Sequence, residues 1–251
     1  MPRPKSPVRQ EWVDPAVCSL EYRLKIIGRL PFFRHLSPQG INQINCLFED
    51  RDVAAGQAIY FEGDPGKYMY LVATGKVKLI RHTSAGREVL LDILRSGEYF
   101  GNLTVVSGRV YTETAVAQTD CCILQISSPN FEKVLNQFPD VIMRVLQAVG
   151  QRLEASHEII KQLSIYTADQ RIAAALIRLM NKWGEQKEQG VLIQLPFSRQ
   201  DLAAMTGTTI ETVSRVMSHF SAEGLISTGR KWVAIKDVER LQNLVKEGAV
   251  N

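Results

Sequence analysis

Two charged side chains lie one turn apart on a predicted helix near the end of the chain. Glu211 and Arg215 are separated by four residues, which places them on the same face of a helix. Arginine can bind the O6 and N7 edge of guanine with two hydrogen bonds, and glutamate can accept one from the N4 amine of cytosine. This pair predicts contact with one C·G pair or its neighbour.

The surrounding residues predict a helix-turn-helix over residues 198–226. Ser198 is a favourable N-cap for a first short helix, and Gly207 breaks that helix, as a tight turn between crossed helices requires. We expect Thr208 to cap the second helix and Glu211 to complete a capping box with it. A helix placed in this way enters the major groove, so we predict a sequence-specific transcription regulator.

A basic hairpin is predicted to follow the second helix. Two short apolar stretches flank Thr228-Gly229-Arg230-Lys231, a pattern typical of a wing with a basic tip. Arg199, Thr209 and Thr212 are placed to meet phosphates and set the register. The predicted DNA-binding residues are Arg199, Thr209, Ile210, Glu211, Thr212, Ser214, Arg215, Arg230 and Lys231.

The alternative is a helical hairpin that binds another protein. In that case Glu211 and Arg215 would form an ordinary surface ion pair along one helix. The coincidence of cap, turn glycine, apolar spacing and basic wing favours DNA binding. We expect Trp232 in the core and His219 on the helix surface.

The middle of the chain, residues 52–127, consists of short apolar stretches separated by glycine-containing turns. Examples are Tyr68–Val72, Lys76–Ile80 and Cys122–Ile126. Short strands with regular turn residues predict an antiparallel β sandwich or roll. A polar tract bounded by glycines, residues 184–190, is predicted to be a surface loop. Before the region of short strands, Ser37-Pro38 is predicted to start a helix.

A long helical stretch begins near Ser128 and is interrupted near Pro139. Beyond it, six residues alternate at spacings of three and four, which is the pattern of a narrow seam that faces another helix. We expect a dimer interface made by Leu146, Val149, Leu153, Ser156, Ile160 and Leu163. A single amphipathic helix packed on its own sheet is the alternative.

Composition places the chain among ordinary globular proteins. It has 251 residues with a net charge of +4, and the charge is concentrated at the ends: +3 in residues 1–31, −1 in residues 32–167 and +2 in residues 168–251. We find neither a membrane-spanning run nor a secretory signal, so we expect a cytoplasmic protein. The four cysteines are expected to be reduced and to pack as small apolar side chains.

These motifs together resemble the CRP/FNR family of bacterial transcription regulators, the cyclic-AMP receptor protein and fumarate-nitrate regulator type. The resemblance extends from about Arg29 to Asp237. Its motifs are Gly63-Asp64, Tyr70-Leu71-Val72, Gly75-Lys76-Val77, Ser96-Gly97-Glu98-Tyr99-Phe100-Gly101, Asp169-Gln170-Arg171-Ile172-Ala173 and Glu211-Thr212-Val213-Ser214-Arg215. The resemblance implies a homodimer on a palindromic DNA site, with RNA polymerase as a further partner.

The fold implied is α+β, with four parts. They are a flexible N-terminal arm (1–20), an antiparallel β-roll sensor domain of double-stranded β-helix or jelly-roll type (21–138), a central dimerisation helix (139–167) and a winged helix-turn-helix domain (168–251).

The resemblance places a candidate effector pocket in the roll. Its residues are Gly101, Asn102, Leu103, Tyr111, Thr112, Ser156 and His157. In cyclic-AMP binders a glutamate stands at the position of Asn102 and an arginine at the position of Tyr111. Without that guanidinium the cyclic phosphate loses its partner, so the resemblance implies another signal or constitutive activity.

No cofactor, metal ion or enzymatic activity is predicted. An iron–sulfur cluster needs four thiolates, whereas Cys18 is the only cysteine near the start and Leu124 stands at the position of the fourth ligand. Haem binding through His35, His82 or His157 remains open, although no spacing supports it. We find no nucleophile–base arrangement and no phosphate-binding loop.

The recognition helix resembles the fumarate-nitrate type rather than the cyclic-AMP type. Ile210 stands where the cyclic-AMP type has an arginine, so the implied half-site is TTGAT-like rather than TGTGA-like. The resulting hypothesis assigns Arg215 to guanine, Glu211 to the opposing cytosine and Ser214 to a thymine edge. A function from another class also remains: a cyclic-nucleotide sensor whose C-terminal helical domain docks a protein partner.

Overall fold

The computed structural model describes residues 7–8, 19–103, 110–188 and 190–247. The chain divides into two compact units between Glu154 and Ala155. None of the helices within the described ranges is long and apolar enough to cross a bilayer. Most of the predicted N-terminal arm, residues 1–6 and 9–18, lies outside the described residues.

Among its described residues, the first unit contains three helices, eight strands and the start of a fourth helix. In chain order these are α1 (Leu20–Ile27), α2 (Pro38–Asn45), β1 (Glu49–Val53), β2 (Ala58–Tyr60), β3 (Tyr68–Thr74), β4 (Val77–His82), β5 (Glu88–Leu94), β6 (Tyr99–Gly101), β7 (Thr114–Ala117), β8 (Cys121–Ser127), α3 (Ser128–Gln137) and α4 (Asp140–Ile165).

The strands of the first unit form two antiparallel sheets of four strands each. One has the order β1-β8-β3-β6 and the other the order β2-β7-β4-β5. Apolar side chains from both sheets form one core, which includes Val72 on β3, Val77 on β4 and Ala115 on β7. The mixed α+β architecture with antiparallel sheets is therefore confirmed.

Strands β3 and β8 are buried on both faces, which explains their near-continuous apolar sequences. On β3, Tyr70 and Val72 face the core between the sheets, whereas Met69 and Leu71 belong to a second core. That second core also contains apolar residues of α1, α2 and α3, such as Ile27, Ile44 and Phe131.

The predicted helix signals of this unit are found in the structure. Ser37 is the N-cap of α2 and accepts a hydrogen bond from the backbone of Gly40, and Pro38 occupies the first turn. Helix α3 begins at Ser128, and the break near Pro139 separates it from α4. Helix α1 begins at Leu20, capped by Ser19, at the end of the segment predicted to be flexible.

The second unit carries the predicted helix-turn-helix and a four-stranded antiparallel sheet of order β11-β12-β10-β9. Its elements after α4 are α5 (Ala168–Trp183), β9 (Gly184–Lys187), β10 (Gly190–Ile193), α6 (Arg199–Thr206), α7 (Ile210–Ala222), β11 (Ile226–Gly229), β12 (Trp232–Ile235) and α8 (Val238–Glu247).

The surface loop predicted for residues 184–190 is wrong for most of its length. Residues Gly184–Lys187 form strand β9, which pairs with β10 so that Gln186 lies opposite Val191. Strand β9 is the edge of the sheet, so its side chains remain polar and exposed although its backbone is paired. The composition of the tract reflects this exposure, which is why it resembled a loop.

Candidate nucleic-acid interface

Helix α6 is fixed at both ends by local interactions. At its start, the Ser198 hydroxyl accepts a hydrogen bond from the backbone N–H of Asp201 (3.1 Å), and the Asp201 carboxylate accepts one from the backbone N–H of Ser198 (2.8 Å). This reciprocal pair is a capping box. At its end, Gly207 has φ 62°, a left-handed conformation that suits glycine and turns the chain toward α7.

The N-cap of helix α7 lies one residue later than predicted. Thr209, not Thr208, is the N-cap: its hydroxyl accepts a hydrogen bond from the backbone N–H of Thr212 at 3.2 Å. The Thr208 hydroxyl instead pairs with that of Thr206 at 2.9 Å. Glu211 therefore lies two residues after the cap rather than three, and the predicted capping box does not form.

Helix α7 has the two faces expected of a recognition helix. Val213, Val216 and Phe220 are buried, which confirms the predicted apolar face. On the other side Glu211 and Arg215 are exposed. Of the remaining predicted base-contacting residues, Ile210 is exposed and Ser214 half-buried.

The charges of this helix are available to a ligand. Hydrogen bonds from the backbone N–H of Glu211 itself and from the Thr209 hydroxyl hold the pKa of the Glu211 carboxyl below its ordinary value. Arg215 forms no ion pair with any residue that the structure describes. The structure therefore does not contain the alternative, a surface ion pair between Glu211 and Arg215.

The wing has the predicted form. Strands β11 and β12 pair so that Gly229 lies opposite Trp232, which leaves Arg230 and Lys231 as an exposed two-residue tip. Lys231 adopts φ 60°, a left-handed conformation that is uncommon outside glycine. Trp232 is half-buried rather than in the core, contrary to expectation, whereas His219 is exposed as expected.

In the first unit, the structure brings several candidate effector residues together around the backbone of Tyr68. The backbone N–H of Asn102 and the hydroxyl of Tyr111 both donate to the carbonyl of Tyr68, at 3.0 and 3.2 Å. The Asn102 side-chain amide donates to the carbonyl of Gly66 at 2.6 Å. Both side chains, which are predicted to replace the charged pair of cyclic-AMP binders, therefore form hydrogen bonds within the roll.

Tyr111 belongs to an aromatic stack in the core between the two sheets. Its ring lies against Tyr60 with centroids 3.8 Å apart, and Tyr60 also stacks on Tyr70 and Phe100. Burial raises the pKa of the Tyr60, Tyr70 and Tyr111 hydroxyls above their ordinary value. The stack could not have been predicted from any local sequence pattern.

The other candidate effector residues differ in how they are placed. Gly101 packs so closely on Tyr70 that a Cβ would overlap the Tyr70 ring. Leu103 is half-buried against the helical core, and Thr112 is exposed. Ser156 and His157 are exposed on the part of α4 that belongs to the other unit, so their place in a pocket stays a prediction.

Helix α4 presents the predicted apolar seam to solvent. Leu146 is 62% exposed, Leu153 56% and Ile160 59%, and Val149 and Leu163 are also exposed. Ile142 is exposed too and stands four residues before Leu146, so it continues the same spacing. The predicted seam omitted Ile142, although its spacing alone predicts that it belongs there.

Comparisons with known proteins match both units. A cyclic nucleotide-binding domain model matches residues 50–138, and a Crp-like helix-turn-helix domain model matches residues 170–244. The cyclic AMP receptor protein of Thermus thermophilus is 30% identical over 214 residues, which cover 85% of this chain and 96% of that protein. The chain belongs to the CRP/FNR family.

Other members of the CRP/FNR family support the same assignment. The global nitrogen regulator of Synechocystis is 30% identical over 183 residues, which cover 71% of this chain and 80% of that protein. The solved structure of a CRP/FNR family transcriptional regulator from Thermus thermophilus aligns with a TM-score of 0.66 at 26% identity, covering 80% of this chain and all of that one.

Family membership establishes the general function of the chain. It is a transcription regulator with a helix-turn-helix DNA-binding domain, as predicted. The matched domains and relatives are those of transcription regulators and not of enzymes.

One described cysteine of this CRP/FNR chain differs from the predicted burial. Cys121 and Cys122 are buried, whereas Cys46 is exposed. Cys46 and Cys121 carry free thiols, in agreement with the prediction that the cysteines are reduced. Cys18 lies outside the described residues. Among the residues that are described, no three metal-binding side chains lie close enough together to hold a metal ion.

Proposed function

We propose that this chain acts as a homodimeric transcription regulator on a palindromic DNA site with TTGAT-like half-sites. The observation that carries the proposal is the exposed Arg215 guanidinium on α7, which has no ion-pair partner among the described residues. An unpaired guanidinium on a recognition helix is suited to the O6 and N7 edge of guanine. The exposed Ile210 stands where the cyclic-AMP type has an arginine, which favours the TTGAT-like sequence.

Glu211 and Ser214 complete the proposed base contacts. The exposed Glu211 is ionised at neutral pH, and its carboxylate can accept a hydrogen bond from the N4 amine of cytosine. Ser214 lies one residue before Arg215 and is assigned to a thymine edge. Arg199, Thr209, Thr212, Arg230 and Lys231 are assigned to the phosphates.

The exposed seam of α4 supports the dimer. A row of large apolar side chains in water is unfavourable, and a second copy of the same helix would bury it as a two-stranded coiled coil. A dimer must place its two recognition helices about 34 Å apart to meet successive major grooves. This requirement makes the DNA site a palindrome.

The roll is proposed to respond to a signal other than cyclic AMP, or to none. The Thermus relative is named as a cyclic AMP receptor, but here the ring of Tyr111 is packed on Tyr60, and the side chain of Asn102 is bonded to Gly66. Neither supplies a positive charge for a cyclic phosphate. Any signal would act by shifting how α4 pairs in the dimer, which sets the distance between the recognition helices. We expect the bound dimer to recruit RNA polymerase and activate transcription.

Selection of duplexes from random DNA at fixed salt tests the proposal. We expect enrichment of palindromes with TTGAT-like half-sites, and enrichment of TGTGA half-sites would overturn the assignment of Ile210. Arg215→Ala should lose about 1–3 kcal/mol of discrimination between specific and random DNA. Arg87→Ala, which removes an exposed cation from the first unit, is the matched control and should bind as the wild type does.

Calorimetric titration with cyclic AMP and cyclic GMP tests whether the roll binds a cyclic nucleotide. We expect no binding heat for either nucleotide, and saturable binding of cyclic AMP would refute this part of the proposal. An absorption spectrum of the same purified protein should be recorded as well, because a visible band would reveal haem or an iron–sulfur cluster.

A further inference from the structure

A cleft of about 230 Å³ lies between the start of α6 and the wing. Three cationic side chains line it: Arg199 from α6, and Arg230 and Lys231 from the tip of the wing. Its remaining walls are neutral and include the apolar Phe197 and Trp232, and no carboxylate is among the lining residues that the structure describes. The cleft is therefore suited to an anion attached to an apolar body.

One guanidinium nitrogen of Arg199 lacks a hydrogen-bond acceptor within the described ranges. Its Nη1 atom is buried and has no hydrogen-bond acceptor among the described residues. A buried donor without an acceptor is energetically unfavourable. An anion seated in the cleft would supply the acceptor.

Trp232 forms a rigid wall of the cleft. Its indole lies against Gly229, the residue paired with it across the hairpin, so closely that a Cβ on Gly229 would overlap Nε1 and Cε2. The indole is nevertheless only half-buried, and it lines the cleft beside the two cations of the tip. A partly exposed tryptophan held in one orientation is pre-organised for contact with another apolar surface.

We propose that this cleft seats one phosphodiester group of the DNA backbone, with the adjoining deoxyribose packed against the indole of Trp232. The inference rests on the proposed function, because it adds a contact to the same DNA complex. The phosphate oxygens accept hydrogen bonds from Arg199 and from the wing tip, while the apolar edge of the sugar covers the indole.

The two kinds of contact make different predictions about salt. A cation that meets a phosphate releases counterions, so its loss lowers the salt dependence of binding, by about 0.9 in the slope of log affinity against log salt. The contact with Trp232 is apolar and releases none. It is also independent of sequence, because every nucleotide has the same sugar.

Binding of specific and random duplexes, measured by fluorescence anisotropy across a series of salt concentrations, tests the inference. We expect Trp232→Ala to weaken both duplexes by the same factor, about tenfold, with an unchanged salt slope. Trp232→Phe should retain most of the affinity, and Arg230→Ala should reduce the slope. Lys187→Ala is the matched control, because it removes a cation from β9 at the opposite edge of the same sheet.

Three outcomes separate the inference from the proposed function. If the wild type bound no DNA, the proposed function itself would fail. If the wild type discriminated between duplexes and Trp232→Ala bound both normally, or lost affinity for only one of them, the inference alone would fail.

A second measurement covers the case in which Trp232→Ala does not fold. In a Trp12→Phe, Trp183→Phe variant, Trp232 is the only indole left. Its emission should change when random-sequence DNA binds, and an unchanged emission at saturation would overturn the inference.

Discussion

The ring of Tyr111 lies on the ring of Tyr60 with centroids 3.8 Å apart and planes inclined by 19°. The Tyr111 hydroxyl also accepts a hydrogen bond from the backbone N–H of Tyr68 and donates to its carbonyl. Tyr111 therefore acts as a structural residue of the roll, at a position that the resemblance predicts to correspond to the arginine of cyclic-AMP binders.

Removing this side chain should destabilise the first unit. We expect Tyr111→Ala to lower the free energy of unfolding by about 3–5 kcal/mol, the usual range for a buried aromatic side chain cut back to alanine. Tyr111→Phe keeps the ring and should cost only about 1 kcal/mol through the lost hydrogen bonds. Urea unfolding followed by tyrosine fluorescence measures both, and equal losses in the two variants would contradict the importance of the stacking.

The same stack predicts a loss of stability in alkali. Burial raises the pKa of Tyr60 and Tyr70 above their ordinary value, so the folded protein holds these protons more tightly than the unfolded chain. Their contribution is complete below about pH 10 and is lost as the pH rises further, because the unfolded tyrosines then ionise first.

Tyr70→Phe separates this effect from the general loss of lysine charge. The advantage of the wild type over Tyr70→Phe in free energy of unfolding should shrink between pH 9 and pH 11. A constant difference across that interval would show that Tyr70 titrates normally.

The cap of the recognition helix gives a prediction that separates two neighbouring threonines. Thr209→Ala removes the hydroxyl that accepts from the N–H of Thr212 and should cost about 1 kcal/mol of stability. Thr208→Ala removes only the hydroxyl pair with Thr206 and should cost less. Thermal unfolding of both variants measures the order, and a larger loss for Thr208→Ala would restore the cap expected from the sequence.

The apolar seam of α4 should control the oligomeric state. Leu153→Glu places a charge in the middle of the seam, and Ile142→Glu does so near its start. We expect both to shift the protein toward monomer and to weaken binding to a palindromic duplex, the first more strongly. Analytical ultracentrifugation measures the mass, with Gln147→Glu on the polar face as the control. An unchanged mass in Leu153→Glu would show that the seam is not the interface.

The sequence predicted features that depend on local patterns. Ser37, Ser198 and Gly207 mark helix ends through interactions within three or four residues, and the structure contains each of them. Predictions failed where an element depends on residues distant in the sequence, or where two neighbouring residues suit the same position equally well. Strand β9 exists because β10 pairs with it, and Thr208 and Thr209 are equally good caps by composition. The position of Tyr111 depends on aromatic rings that come together only in the folded sheets.

The outer strand of the winged domain has a consequence for how the protein behaves at high concentration. An edge strand presents unpaired backbone groups to any other strand, and long apolar edges therefore promote aggregation. Strand β9 carries Glu185, Gln186 and Lys187, and the Glu185 and Lys187 side chains pair with each other at 2.6 Å. Bringing a second chain against this edge would strip water from both charges, so the polar strand protects the regulator from edge-to-edge growth into fibres.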